Sequence, residues 1–542
     1  MIRFIYFFFV LSALQVAAQN TVGTIKNELG SFDAYTLFTA QKNTYLINNC
    51  GQVVHQWQSD YNPGNAVYLL ENGNLLRTCD VNNPDITFGG TGGRIELRNW
   101  EGDLIWEYNY SSESFVQHHD IYPLPNGNIL MLAVTVMDEN EAFQSGRNPD
   151  LLEEGSLYNE QILELQPIGT NEAVIVWEWN IKDHLIQDFD SSKENFGTIE
   201  DHPELLNVNF IGESGGQANW LHMNSMQYFK EYDQIILSSR LLSEIYIIDH
   251  STTTQEASGH TGGNSGKGGD LLYRWGNPQA YNQGIAEDQL LFGQHYPNII
   301  ADGLNNEGKL ILFNNGYERD PAFSQVFILE LPIIPDGSYL YEPGSSFAPE
   351  EPFYIYESSP DPTEFYSRIL SSAQVLPNGN MLICQGDTGH FIEIDEDEEI
   401  VWEYVSPILR NGIASKGDIP TFNYVFRAIK FPQDYPAFSG RDLSPGDPIE
   451  LDFNLDNCTV LAVSDEILLD QIVMNNPVKE TLNIKTTFIV EKVEVFNVQG
   501  QKVLVANNQK NVNFTNLSSG LYFIKIYTDQ GLLTKKILKE NI

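Results

Sequence analysis

The chain has 542 residues, with 30 Lys plus Arg against 73 Asp plus Glu and a formal net charge of -43. Such a length exceeds one small core and suits one large repetitive domain with an appendage. A balance this acidic repels phosphate backbones and argues against nucleic acid as a partner; it reads as a solvated acidic surface, against which an inward-facing Arg or His stands out.

The N-terminus reads Met1-Ile2-Arg3, runs apolar from Phe4 to Leu14 and ends in Val16-Ala17-Ala18 before Gln19. One basic residue, a short hydrophobic stretch and small residues at a cleavage point predict a secretory signal peptide over residues 1–18. The run is too short to span a bilayer, and no later stretch reaches the roughly 20 apolar residues that a spanning helix needs. The expected product begins near Gln19, has no transmembrane segment and works outside the cytoplasm. Four cysteines, Cys50, Cys79, Cys384 and Cys458, are too few for a disulfide scaffold and show no metal-knuckle spacing. Export permits disulfides, and a Cys50–Cys458 bond would join the first and last segments of the repeats.

A two-part phrase then recurs. Its first half is an apolar strand, an Asn-Gly turn and a second apolar strand: Ala66 to Thr78 around Asn72-Gly73, Ile121 to Val134 around Asn126-Gly127, and Ala373 to Cys384 around Asn378-Gly379. Asn-Gly tolerates the positive φ of a tight hairpin. Its second half is a hairpin ending in an apolar-Trp strand: Tyr45 to Trp57, Arg94 to Trp106, Gln161 to Trp177, Glu244 to Trp275 and His390 to Trp402, with a degenerate copy at Phe327 to Tyr356. About six copies of a four-stranded unit predict an all-β fold, a six-bladed β-propeller over residues 19–465. A second half precedes any first half, and unmatched strands at Phe426 to Phe431 and Thr459 to Val463 lie near the end. N- and C-terminal strands sharing one blade would remove the free edges.

Residues 466–542 differ in character. Asn476-Pro477-Val478 precedes Thr481-Leu482-Asn483-Ile484, followed by Val493 to Gln501 and Leu517 to Ile526, alternating strands with Gly turns that predict a small C-terminal β-sandwich. In order and spacing these phrases resemble the C-terminal sorting domain of the type IX secretion system of Bacteroidetes. That resemblance implies the type IX secretion machinery as a partner, and a protein exported through the periplasm to be secreted or held at the outer-membrane surface.

In a propeller the innermost strand of each blade lines the central channel. Where such strands begin, the sequence reads Gln117-His118-His119-Asp120, Leu221-His222-Met223-Asn224 and Gln294-His295-Tyr296-Pro297. One histidine is ordinary; three at comparable points of different repeats converge on one space. Arg240 closes the strand Ile235–Ser239, and its fork suits a tetrahedral oxyanion. By themselves these residues allow either a three-His metal site or nucleophilic catalysis by a neutral imidazole. No phosphate loop, Ser nucleophile elbow or nucleotide fingerprint accompanies them.

The phrases Gln117 to Asn128, Trp220 to Ser225, Ile235 to Arg240, Glu244 to Ser251 and Gly293-Gln294-His295 resemble those of bacterial arylsulfate sulfotransferases. That resemblance implies transfer of a sulfuryl group from a phenolic sulfate donor to a phenol acceptor through a sulfohistidine, with no cofactor, no catalytic metal and no phosphoadenosine phosphosulfate. It implies His295 as the nucleophile, with His222, Asn224 and Arg240 binding the sulfuryl oxygens. His118 or His119 would protonate the leaving phenolate, with His118 slightly favoured. A threonine of the family has no match, and Ser371 or Ser372 stands at the comparable place. His55, His184, His202, His250, His260 and His390 are given no role. The competing readings are a non-catalytic secreted propeller that binds glycans or proteins, and a metal-dependent hydrolase using the same histidines.

Overall fold

The computed structural model describes residues 20–455, 458, 472–498, 501–528 and 531–540; the expected signal peptide and the strand expected at Thr459 to Val463 lie outside the described residues. The chain divides into two compact units, the first holding the described residues up to Lys26 with Ser31–Phe453, the second Asn27–Gly30 with Asn454–Ile542. Cys79 and Cys384 are free and buried, whereas Cys50 and Cys458 are disulfide-bonded.

The first unit is all-β and contains six consecutive antiparallel sheets. The first sheet runs Ala428–Pro432, Ala34–Ala40, Asn43–Ile47, Val53–Gln58 from its inner to its outer edge. The second runs Asn62–Leu69, Leu75–Asp80, Gly93–Arg98, Leu104–Asn109, and the third Phe115–Pro123, Ile129–Asp138, Ser156–Ile168, Glu172–Asn180. The fourth runs Met223–Phe229, Gln234–Ser239, Glu244–Asp249, Tyr273–Trp275, and the fifth His295–Ile299, Leu310–Asn314, Gln325–Leu329, Tyr354–Tyr356. The sixth runs Ser372–Val375, Met381–Gln385, His390–Ile394, Ile400–Val405, with Gly23–Asn27 at its outer edge. The late strand Ala428–Pro432 pairs with the early strand Ala34–Ala40, Ala34 facing Pro432 and Phe38 facing Ala428.

In the Asn-Gly turns the two residues divide the work. Gly73, Gly127 and Gly379 take positive φ of 87°, 86° and 94°, while the carboxamides of Asn72, Asn126 and Asn378 accept from the backbone N–H two residues on. This is an Asx-type use of Asn beside the conformational use of Gly.

The recurrent Trp sits in the fourth strand of its sheet each time, counted from the inner edge, and reaches the next sheet. The indole N–H groups of Trp57, Trp106, Trp177 and Trp275 donate to Asn99 O, Glu172 O, Thr252 Oγ1 and Pro349 O at 3.1, 2.9, 3.1 and 2.7 Å. Tyr354 Oη donates to Glu398 at 2.8 Å, and Trp402 donates to Asn49 O in the first sheet at 2.8 Å. An indole buries a large apolar area and needs one acceptor, so each Trp both fills the space between two sheets and fixes their spacing.

The inner ends of these sheets meet in a polar cluster. Asp120 accepts from Arg427 Nη2 at 2.8 Å, Met226 N at 3.1 Å, Tyr68 Oη at 3.2 Å and Ile121 N at 3.1 Å. Arg427 also donates to Tyr68 Oη at 3.0 Å and stacks 3.7 Å from the Tyr296 ring centroid. Both charged groups are buried, and their side chains come from opposite parts of the chain.

In the second unit a three-stranded sheet (Val473–Met474, Thr481–Lys485, Asn511–Asn513) and a four-stranded sheet (Lys502–Asn507, Val490–Phe496, Gly520–Thr528, Gly531–Lys539) share one core. Leu482, Ile484, Val493, Val495, Phe514, Ile524 and Ile537 fill it. No helix among the described residues is long and apolar enough to cross a membrane.

Replacing Asp120 by Ala strands a buried guanidinium, which costs about 3–5 kcal/mol. Urea unfolding of Asp120→Ala is expected to show that loss; a loss below about 1 kcal/mol would mean the pair does not hold the sheets together.

Candidate active site

Near the start of their innermost strands the second to sixth sheets carry a residue with positive φ: Asn65 at 96°, His119 at 47°, His222 at 49°, Tyr296 at 53° and Ser371 at 95°. In the second, third and fifth sheets the pairing with the next strand slips at the same place, and in the fourth it slips at Asn224, two residues after His222. These are bulges, and left-handed non-Gly residues cost about 1–3 kcal/mol each unless their surroundings hold them. Hydrogen bonds do so: His119 N to Gly90 O at 2.8 Å, Arg240 N to His222 O at 3.2 Å, Tyr296 N to Ser225 Oγ at 3.1 Å and Ser371 N to Phe426 O at 3.2 Å. The kink takes side chains out of the sheet's alternation and turns them to the shared space.

His295 lies immediately before its kink. Its Nδ1 is 2.7 Å from Asn315 Oδ1 and 3.1 Å from the Gly293 carbonyl. The Asn315 amide is itself oriented, because Nδ2 donates to Ser367 O at 2.7 Å and Leu370 O at 3.0 Å. Both neighbours of Nδ1 are acceptors, so Nδ1 carries the proton and Nε2 presents a bare lone pair.

His119 and His222 face each other with ring centroids 4.7 Å apart. Behind His119, His118 Nδ1 lies 2.9 Å from His119 Nδ1, and His118 Nε2 donates to Glu160 Oε2 at 2.9 Å. Glu160 is held by Met223 N at 2.9 Å. With His118 neutral and donating to Glu160, its Nδ1 accepts from His119, which leaves His119 Nε2 as a base with a carboxylate-backed relay behind it. Gly90, at φ 91°, lets a loop pass over this ring, since a Cβ there would lie 2.2 Å from His119 Nε2. The Asn219 amide sits 2.6 Å from His222 Nδ1; with its Nδ2 donating, the neutral His222 ring carries its proton on Nε2 and offers a donor.

Arg240 follows Gln234–Ser239 and lies over the Tyr317 ring, 4.5 Å from its centroid. Among the described residues its guanidinium has no hydrogen-bond or carboxylate partner. A Cβ on Gly293 would lie 3.8 Å from Arg240 Cγ, which puts this cation beside the His295 segment. Phe88 packs against His118 and His222 at 5.2 and 5.8 Å, and half-buried Tyr158, Tyr317 and Tyr366 stand nearby.

Burial, and then the Arg240 cation, depresses His295 to about 3. His119 is held well below its ordinary value by burial and then by His222, and His222 by burial and then by Arg240. These three rings are therefore neutral near pH 7. Glu213, near Arg240, is pushed up to about 7 by burial.

The structure brings His118, His119, His222, Arg240 and His295 together, but in altered parts. His119, on the kink equivalent to that of His222, faces the pocket, and His118 stands behind it, the reverse of the slight sequence preference. His295 aligns with His118 in register, one residue before the kink. Asn224 is fully buried and donates from Nδ2 to Gln294 O at 2.7 Å, so it supports the strand start that carries His295. Ser371 occupies the equivalent kink, yet its hydroxyl is engaged with Ser367 and Gly386; Ser372 Oγ turns to Ala428 O at 3.5 Å. Sequence reasoning missed Glu160, Asn219 and Asn315. Asn315 had a readable signal, because it follows Leu310–Asn314 as Arg240 follows Gln234–Ser239.

The family model described as arylsulfotransferase matches residues 18–326, and that described as secretion system C-terminal sorting domain matches 474–540. The second match marks the chain for export and for secretion or cell-surface attachment. No curated protein matches. Solved structures similar to the chain include a protein of unknown function from Bacteroides caccae (10% identity, 74% of this chain and 99% of that one, TM-score 0.39). Others are the periplasmic gluconolactonase of Pseudomonas aeruginosa (11%, 68% and 94%, 0.33) and an inactive virginiamycin B lyase of Staphylococcus aureus with quinupristin (9%, 71% and 87%, 0.31). Likeness of this degree carries no functional information.

Because His295 binds its proton more weakly when folded than its ordinary 6.5, the unfolded chain takes up more protons between those values. Stability should therefore fall as pH drops from 6.5 towards 3, by about 1.4 kcal/mol per pH unit for each ring that stays neutral. Urea unfolding across this range is expected to show a shallower slope in His295→Gln than in the parent; identical slopes would contradict the neutral ring.

Proposed function

This chain belongs to the arylsulfotransferase family, and on that premise we propose that it transfers a sulfuryl group from a phenolic sulfate ester to a phenol through a sulfohistidine at His295. The observation that carries the reading is the fixed tautomer of His295: Nδ1–H committed to Asn315 Oδ1 and Gly293 O, Nε2 bare, and an unpaired Arg240 alongside. Nε2 attacks sulfur, the sulfur–oxygen bond to the phenol breaks, and the electron pair leaves on the phenolate. Nδ1 gains positive character as the nitrogen–sulfur bond forms, and Asn315 Oδ1 stabilises it. Arg240 and the His222 N–H hold the equatorial oxygens, where charge builds up. Binding of the anionic ester favours a proton, drawn from solvent, on His119 Nε2, while the relay to Glu160 holds Nδ1–H in place; the Nε2 proton passes to the leaving phenolate. In the second half the acceptor phenol gives its proton to His119 and attacks sulfur, and the nitrogen–sulfur bond breaks. No nucleotide donor is required, and Phe88, Tyr158, Tyr317 and Tyr366 suit aromatic rings on either partner.

The same premise supports a closed six-bladed propeller. Six four-stranded repeats, the pairing of Ala428–Pro432 with Ala34–Ala40 and the run of Trp and Tyr hydrogen bonds from the first sheet through the sixth and back to the first all favour closure. We assign a signal peptide to residues 1–18, the propeller to 19–465 and the sorting sandwich to 466–542.

Purified protein given para-nitrophenyl sulfate and phenol is expected to release para-nitrophenol and form phenyl sulfate; no turnover across a broad donor panel would sink the proposal. His295→Ala should fall to background, and Arg240→Gln should lose about 10²–10³ in kcat. His119→Gln should lose about 10²–10⁴ with a poor leaving phenol and much less with para-nitrophenol, which leaves without a proton. An equal loss for both leaving groups would remove His119 from the proton transfer.

A further inference from the structure

His184 and His260, left without a role by the sequence, meet Asp270 away from the inner strand ends. Ile181–His184 is the short turn after the outermost strand of the third sheet, and the Gly-rich segment from Gly259 to Asp270 connects the last two strands of the fourth. His184 Nδ1 and His260 Nδ1 each lie 2.8 Å from the same oxygen, Asp270 Oδ1, and the three ligand atoms fall within 4.8 Å of one another.

The hydrogen-bond chemistry of His184 is the informative part. Its Nε2 lies 2.8 Å from the Ala257 carbonyl, where it can only donate. A neutral ring then aims a lone pair from Nδ1 at a carboxylate lone pair, and the contact is satisfied only by a cation between them, a proton or a metal ion. Donation of the second ring N–H to a backbone carbonyl is how metal-ligating histidines are oriented. The ring is further fixed by stacking on Trp179 at 5.6 Å and 7°, while Trp179 Nε1 donates to Gly269 O at 2.7 Å. Gly269 has no room for a side chain: a Cβ would lie 2.0 Å from Ala257 O and 2.6 Å from His184 Nε2. His184 is fully buried, and the His260 side chain is 62% exposed, which gives an ion a path in.

We propose that His184, His260 and Asp270 form a binding site for one divalent transition-metal ion, Zn²⁺ being the best match. Two imidazoles and a carboxylate are zinc-type ligands, whereas Ca²⁺ and Mg²⁺ require oxygen ligands. Bonds of about 2.0–2.1 Å set tetrahedral ligand separations of roughly 3.4 Å, so each 2.8 Å contact opens slightly as the ion replaces the proton. A bound ion clamps the end of the third sheet to the long loop of the fourth. Asp183, adjacent to His184 and within electrostatic reach of both rings, adds negative charge that favours a dication.

Tag-free, chelator-treated full chain should be titrated with Zn²⁺ against a chromophoric chelator at neutral pH. One saturable Zn²⁺ per chain is expected, with an affinity lowered about 100-fold or more in His260→Ala and unchanged in His202→Ala, which removes another exposed histidine. Circular dichroism of His260→Ala establishes that the fold is kept. No saturable binding would assign the contact to a proton, and equal affinity in parent and His260→Ala would place the ion elsewhere; either overturns the site.

Discussion

The buried pair of Asp120 and Arg427 is the constraint on which the rest of the first unit depends. Arg427 immediately precedes the late strand that pairs with Ala34–Ala40, and Asp120 lies on the innermost strand of the third sheet. Through Tyr68, Met226 and Tyr296 the pair also engages the second, fourth and fifth sheets. A buried ion pair gives little net stability over apolar packing, but it tolerates no loss of either partner. It therefore acts chiefly as a register device. Asp120 follows His119 in sequence and Tyr296 follows His295, so the cluster that fixes the inner strands also fixes the two rings of the proposed chemistry.

Electrostatics reinforces that geometry. The chain is strongly acidic, and most inward-facing cations have partners: Arg274 with Glu244, Lys430 with Glu393 and Arg427 with Asp120. Arg240 has none among the described residues, and the histidines around it are kept neutral by burial and by its charge. The pocket thus offers one fixed positive charge, neutral rings and, at His295 Nε2, the bare lone pair that the proposed reaction uses. In the proposed reaction the first attracts an anionic sulfuryl ester, and the neutral His295 ring keeps its lone pair available.

Much of this was legible in the sequence, and the reasons are physical. The Trp-terminated phrases located outer strands because an indole suits the gap between two sheets, and the Asn-Gly turns located hairpins because Gly alone adopts the required φ cheaply. Histidines at strand starts announced a shared space. Their phase was not legible: whether His118 or His119 faces inward is decided by a left-handed kink, and nothing local in Gln117-His118-His119-Asp120 specifies which residue adopts it. Glu160 and Asn219 matter only through partners far away or around a bend, and no motif marks them. The cluster of His184, His260 and Asp270 joins a turn to a loop more than seventy residues later, so each residue alone reads as ordinary.

The central claim is that His295 Nε2 becomes sulfurylated. Mixing the protein with an aryl sulfate in the absence of acceptor, quenching rapidly under alkaline conditions that preserve nitrogen–sulfur bonds, and sequencing the proteolytic peptides by mass spectrometry tests it directly. The account predicts one added SO₃ on the peptide containing His295, discharged when a phenol is added before the quench. Turnover with no adduct, or an adduct confined to His119 or His222, would contradict it.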